Sequence, residues 1–401
     1  MNTLLPPVTT RQRIYSLDIL RGAVMIIMAL DHTRDFFHAP AFTNDPLDLA
    51  TTTPILFFTR WITHYCAPVF VFLAGTSAFL QSQKKSKSEL SGFLIKRGLW
   101  LIVIEIVVNN FGWTFNPHYN LIVLQVLWAI GISMVFLGLF IWLPYNVLLA
   151  VGILIVGGHN IFDFFPSTLR PQGGFWWDLL RNGDFSIYPI SADHSVNIIY
   201  PFLPWLGLMI LGFCFGKLYR TSVDARSRKK ILIYLGTAII LFFIVLRFTN
   251  LYGDPNPWTT QKDGLYTLLS FINVHKYPPS LLFMCVTIGP AMIILALLEN
   301  VNNKISKAIT VYGRVPFFYY ILHVYLLRSI SVILFLSRGH TFSEGLKGIP
   351  NFPFKFMIPG EGYSLCIVYL IWILVVAALY PLCRWFNHYK DAHKTWWLSY
   401  L

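Results

Sequence analysis

The chain has 401 residues, 56% of them hydrophobic and only 12% charged, about half the charged share of a soluble domain. A soluble globule has no means of hiding that much apolar surface, and disorder needs low hydrophobicity, so both classes are excluded. The 31 Lys and Arg against 18 Asp and Glu leave a net charge of +13, while aperiodic Gly and Pro and 5 Cys exclude collagen-like and disulfide-rich chains.

In chain order, the apolar residues fall into ten blocks of membrane-crossing length, predicted at 16–37, 55–80, 95–112, 121–143, 146–165, 198–216, 231–249, 280–298, 311–336 and 363–386. The expected fold is an all-α polytopic membrane bundle of about ten transmembrane helices, forming one domain over 1–401. Alternate connections are strongly basic. Arg11 and Arg13 precede the first block, and Lys84, Lys85, Lys87, Lys96 and Arg97 follow the second. Lys217 to Lys230 lie after the sixth, Lys304, Lys307 and Arg314 before the ninth, and Arg384, Lys390 and Lys394 at the tail. That side carries 19 basic residues and the opposite loops 7. The asymmetry predicts that both termini are cytoplasmic, and it assigns the basic excess to membrane topology rather than to nucleic acid. No signal peptide, linker, fixed repeat or low-complexity tract is expected. Cys66, Cys214, Cys285, Cys366 and Cys383 fall inside the blocks without CxxC spacing, so they read as small buried hydrophobes rather than metal ligands.

The first block, SLDILRGAVMIIMALDHTRDFFH, holds the chemistry. Ionisable groups inside a span are costly and by default face a bundle interior or a cavity. Asp18, Arg21, Met25, Met28, His32 and Asp35 step by three and four and share one helical stripe. Eleven residues, about three turns or roughly 16 Å, separate Arg21 from His32. Asp35 is placed to reach the imidazole and fix its tautomer. Asp31 projects about 100° away from His32 and joins the candidates only if the helix end distorts. The competing readings are an interfacial anchor for Arg21, a packed histidine for His32 and a hydrated helix end with local ion pairs for Arg34.

Later blocks add wall residues. Arg60 and His64 are four apart, suited either to acceptor binding or to an interhelical pair. Glu105, Asn109, Asn110 and Gln125 suit a cavity lining, with interhelical hydrogen bonding as the stronger expectation. His323 and Arg328 do not share a face well, and His323 ranks below His32 for direct participation. Trp176, Trp177, Asp178, Asp184, Asp193, His194, Trp258, Asp263 and His275 lie in outer loops. They fit glycan binding or, slightly better for the tryptophans, an interfacial aromatic belt.

Arg21, ten residues, then His32 resembles the Arg–x10–His signature of membrane acyltransferases that modify surface glycans. DILRG, ALDHTRDFF and PVFVFLAGTSAFL (Pro68 to Leu80) resemble more closely the bacterial relatives of heparan-α-glucosaminide N-acetyltransferase, the lysosomal enzyme that moves acetyl from acetyl-CoA across a membrane to glucosamine. YGRVPFFYYILH (Tyr312 to His323) is similar to that family too. The lysosomal enzymes have a lumenal domain before this region, and nothing comparable is expected here. Their pattern places Asn where this chain has His32, with the catalytic His in the following loop. Ungapped, that loop position is Thr43, with His38 close by. His32 and His38 both remain candidates, and the shared face with Arg21 favours His32.

Acyl transfer from a thioester needs a group that removes the acceptor's proton or takes the acyl group, and neutral imidazole does either near pH 7. The expected function is acetyl transfer from cytoplasmic acetyl-CoA to an amino or hydroxyl group of an outer sugar or glycan. His32, Asp35 and Asp31 are its catalytic candidates. Arg21, Met25 and Met28 would hold the donor, and Arg60, His64, His38 and His323 the acceptor. No metal is expected. The resemblance implies an inner-membrane, multi-pass location, and a homodimer is open. The alternative class is a secondary transporter of a small polar or anionic solute.

Overall fold

The computed structural model describes residues 14–165, 173–349, 352–393 and 395–399. Arg11, Arg13 and Lys394, counted toward the basic side, lie outside the described residues. The chain is a helical membrane protein. Helices α1 (Tyr15–Phe37), α2 (Pro54–Trp61), α3 (Cys66–Ser82), α4 (Lys87–Ile104), α5 (Asn110–Thr114) and α6 (Val126–Phe140) form its first half. Helices α7 (Tyr145–Gly158), α8 (Phe175–Leu180), α9 (Phe202–Phe215), α10 (Ala225–Thr249) and α11 (Gly264–Ile272) continue it. The last are α12 (Leu281–Leu298), α13 (Lys304–Arg314), α14 (Pro316–Ser337), α15 (Phe342–Lys347) and α16 (Leu365–Ala392).

Seven helical runs among the described residues are long and apolar enough to cross a membrane: Pro54–Ser82, Tyr145–Asp163, Phe202–Tyr219, Ala225–Thr249, Leu281–Leu298, Pro316–Ser337 and Leu365–Ala392. Each overlaps one of the ten predicted blocks. The other three blocks are helical as well but do not qualify on length and composition alone. Helix α1 carries Asp18, Arg21, Asp31, Arg34 and Asp35, and α6 has only 15 residues. The third block lies in a run that begins at α4 and is interrupted by a π-helical turn, Glu105–Asn109, before α5.

Three boundaries differ from the hydropathy reading, each for a local reason. Residues 121–124, read as the start of a span, form strand β1 (Leu121–Leu124), because β-branched runs are equally suited to a sheet. It pairs in parallel with β3 (Ser195–Ile198), which pairs antiparallel with β2 (Ser186–Pro189), giving the order β1-β3-β2. The expectation of an all-α chain therefore misses a small sheet. The block 311–336 is broken at Val315 (φ −129°, ψ 48°), because Pro316 lacks an N–H and disfavours helix in the residue before it. Residues up to Arg314 belong instead to α13, which is capped by reciprocal Asn303 and Ser306 hydrogen bonds. Between α2 and α3 lies a 3₁₀ turn, Ile62–Tyr65. Of the cysteines, four are buried and Cys366 is exposed on the first turn of α16, unlike the buried hydrophobe expected.

Helix α1 packs against α3, α12, α13, α14 and α16, so its charged residues are held at the centre of the bundle. Glycine makes the closest approaches possible. A Cβ on Gly313 would collide with the Asp18 carbonyl oxygen, so α13 lies directly on α1. Gly75 faces the Met209 carbonyl and Gly212 the Phe72 carbonyl, bringing α3 and α9 into backbone contact. Thr76 Oγ1 spans that seam and donates to Gly212 O at 3.1 Å.

Candidate active site

A single cavity of about 1050 Å³ runs along the inner side of α1, and Arg21, Met25, Met28, Asp31, His32 and Asp35 all line it. Five of the six residues of the predicted stripe therefore face one void. Asp18, the sixth, supports it from behind by accepting from Arg21 Nη1 at 3.1 Å. Arg21 also donates to Ser77 Oγ of α3 at 2.9 Å and to Gly313 O of α13 at 3.3 Å, the latter because glycine lets α13 come so close. Lys85, Arg97, Arg314 and Lys390 line the same cavity. Phe70, Ala74, Leu101, Ile130 and Met134 give it apolar walls.

His32, 9% exposed, hydrogen-bonds through Nδ1 to His323 Nε2 of α14 at 2.7 Å. The two rings are within 10° of parallel with centroids 4.9 Å apart. His323 is fully buried, and its Nδ1 meets Tyr319 O at 3.0 Å. The Trp113 ring meets His32 edge-on at 4.7 Å, with Tyr320 at 6.1 Å. Trp113 and Tyr320 line the cavity; His323 does not.

The carboxylates are arranged differently from the sequence expectation. Asp35 does not hold the His32 imidazole, because its Oδ1 accepts from Arg34 Nη2 at 2.6 Å. Asp31, expected to point away, lines the cavity because Arg60 of α2 reaches across to its Oδ2 while Arg34 donates to its Oδ1 at 3.0 Å. The Arg34 expectation of local ion pairs holds, but in a buried setting rather than a hydrated one. Arg60 and His64 do not share a face. The 3₁₀ turn winds at three residues per turn, and His64, 1% exposed, lies against Phe283 outside the cavity, with neither ring nitrogen hydrogen-bonded among the described residues. His38 ends α1 in extended backbone and is also outside the cavity wall. Partial burial, then the Arg34 guanidinium, lowers its pKa below the ordinary imidazole value.

Glu105 bonds to a neighbouring helix, as expected, and Asn110 to the strand that follows, whereas Asn109 bonds within its own helical turn. Glu105 accepts from Asn109 Nδ2 at 2.6 Å and from the Trp128 backbone at 3.0 Å, and Asn110 accepts from the Val123 backbone at 3.1 Å. Gln125 does line the cavity. Arg328 is enclosed between the Phe36 and Phe115 rings, each 5.0 Å away, and donates to Lys355 O at 2.6 Å.

The outer-loop candidates stay away from the void. Trp258 packs on Phe271, Trp177 on Phe162, and Asp178 accepts from Tyr188 Oη at 2.5 Å. Instead, Lys276, Tyr277, Tyr200 and Phe354 form that end of the cavity. Lys276 is 9% exposed, and its ammonium lies 5.0 Å from the Tyr277 ring centre, with no carboxylate salt bridge among the described residues. By sequence it is one of the seven basic residues assigned to the opposite loops.

The arrangement therefore offers a basic cluster, a long apolar wall and an imidazole beside a charged cluster, all on one void. Such a volume is at the upper end of the range for small-molecule sites. Among the described residues no group of His, Cys, Asp or Glu is placed to hold a metal ion. Among curated proteins no match to the chain is found. A family model described as heparan-alpha-glucosaminide N-acetyltransferase, catalytic, matches residues 13–248, more than half of the chain.

Proposed function

Because the chain belongs to the heparan-alpha-glucosaminide N-acetyltransferase catalytic family, we propose that it transfers acetyl from cytoplasmic acetyl-CoA to an amino or hydroxyl group of a sugar presented on the outer side. In this reading all ten helical blocks cross the bilayer and both termini are cytoplasmic, as the basic loops favour. The location is the inner membrane.

The observation that carries the proposal is that Arg21 and His32, about 16 Å apart along one helix, open onto the same cavity. Arg21, Lys85 and Arg97 receive the anionic phosphates of the donor. The apolar wall with Met25 and Met28 accommodates the uncharged arm. His32 then meets the thioester carbonyl carbon. The acceptor's N–H or O–H proton moves to the imidazole as its heteroatom bonds to that carbon. The carbon–sulfur bond breaks, and the imidazolium returns that proton to the departing sulfur. Asp31 and Asp35, held by Arg34 and Arg60, shape the acceptor end.

Incubating the purified protein with radiolabelled acetyl-CoA and candidate glycans, then identifying the labelled product, tests the reading. His32→Ala is expected to lower transfer by roughly 100-fold or more while leaving acetyl-CoA binding within about twofold. Arg21→Ala is expected to weaken acetyl-CoA binding by at least about tenfold. Full transfer by His32→Ala would move the role to another group, His38 first. Solute uptake into proteoliposomes without CoA would favour a transporter.

A further inference from the structure

The hydrogen-bond chain ending at His32 has a direction. Tyr319 O only accepts, so His323 Nδ1, 3.0 Å away, carries the hydrogen. Neutral imidazole holds a single N–H, so His323 Nε2 presents a lone pair. The nitrogen facing it at 2.7 Å, His32 Nδ1, must then be the donor. The near-parallel rings, with centroids 4.9 Å apart, suit an in-plane N–H···N contact. His32 Nε2 is consequently left unprotonated, on a side chain that lines the cavity.

We propose that His323 is a positioning residue. It fixes His32 in the Nδ1–H tautomer and shares the positive charge that appears when Nε2 takes the acceptor's proton. This rests on the acyltransferase reading for its catalytic consequence, but the tautomer itself does not. A carboxylate usually supports a histidine base in this way. Here the nearest carboxylates are already committed, Asp35 to Arg34 and Asp31 to Arg34 and Arg60. A second imidazole supplies the acceptor without adding a charge inside the bundle. His323 is fully buried and absent from the cavity wall, so it acts through His32 and does not touch the donor or acceptor.

His323→Phe removes the acceptor, whereas His323→Gln keeps a carbonyl oxygen at similar reach. With His323→Phe, kcat should fall by at least roughly 100-fold and the KM for acetyl-CoA should stay within about twofold; His323→Gln should recover about tenfold or more of the loss. In ¹⁵N-histidine-labelled wild-type protein, the His32 resonance, assigned by its loss in His32→Asn, should report Nδ1–H. Equal losses in the two His323 variants, a kcat near wild type for His323→Phe, or an Nε2–H tautomer would overturn the proposal. If the Phe variant fails to fold, the wild-type spectrum decides alone. If the wild-type protein transfers no acetyl group, the functional reading falls and the spectrum still tests the tautomer.

Discussion

At the scale of single residues, charge balance around Asp31 governs the His32 end of the cavity. Two carboxylates, Asp31 and Asp35, sit against two guanidiniums, Arg34 and Arg60, so the group is internally neutral. Removing one member strands a buried charge. Asp31→Ala is expected to destabilise the protein by about 3–5 kcal/mol, more than the loss from any exposed ion pair. Thermal unfolding in detergent, compared with Arg314→Ala at the exposed Asp391 pair, checks this. Arg21 and His32 were legible in the sequence because helical periodicity alone puts them on one stripe. The His323 partner was not, since it lies 291 residues from His32 and only tertiary packing joins them. Lys276 was misread for a related reason: a count of loop charges does not say which one is folded into a cavity.

Among the elements, the seam between α3 and α9 is set by backbone contact at Gly75 and Gly212. Because carbonyl groups rather than flexible side chains face both glycines, the helices must separate to admit a side chain. Gly212→Val is expected to cost about 1–3 kcal/mol, toward the upper end, and to widen the cavity lined by Phe70, Ala74 and Ser77 on α3. A lower unfolding temperature with increased thiol reactivity of buried Cys214 is the expected readout. The seven helical runs that are long and apolar enough to cross a membrane were visible in hydropathy because lipid demands long apolar runs. Hydropathy could not distinguish the Leu121–Leu124 strand from a helical start, since both bury the same residues. The break before Pro316 was available in the sequence, in Gly313, Arg314 and the proline itself, but the short apolar stretch Val311–Tyr312 let the block be extended back across it.

On the scale of the whole molecule, one void runs along α1, with Arg21, Lys85 and Arg97 toward one end and Asp31, Arg60 and Lys276 toward the other. In proteoliposomes, acetyl-CoA supplied on one face is expected to label an acceptor trapped on the other, with CoA recovered where it was added. Label found only on the face of addition would oppose this arrangement. Lys85, Arg97 and Lys390 on the cavity, with Lys276 further along, have another effect. Fixed positive charge on a cavity wall repels sodium, potassium and hydronium. A void of about 1050 Å³ lined in this way has room for a small-molecule ligand yet is hostile to the ions that carry the cell's electrical gradient, so the bundle holds a cavity without costing the membrane its insulation.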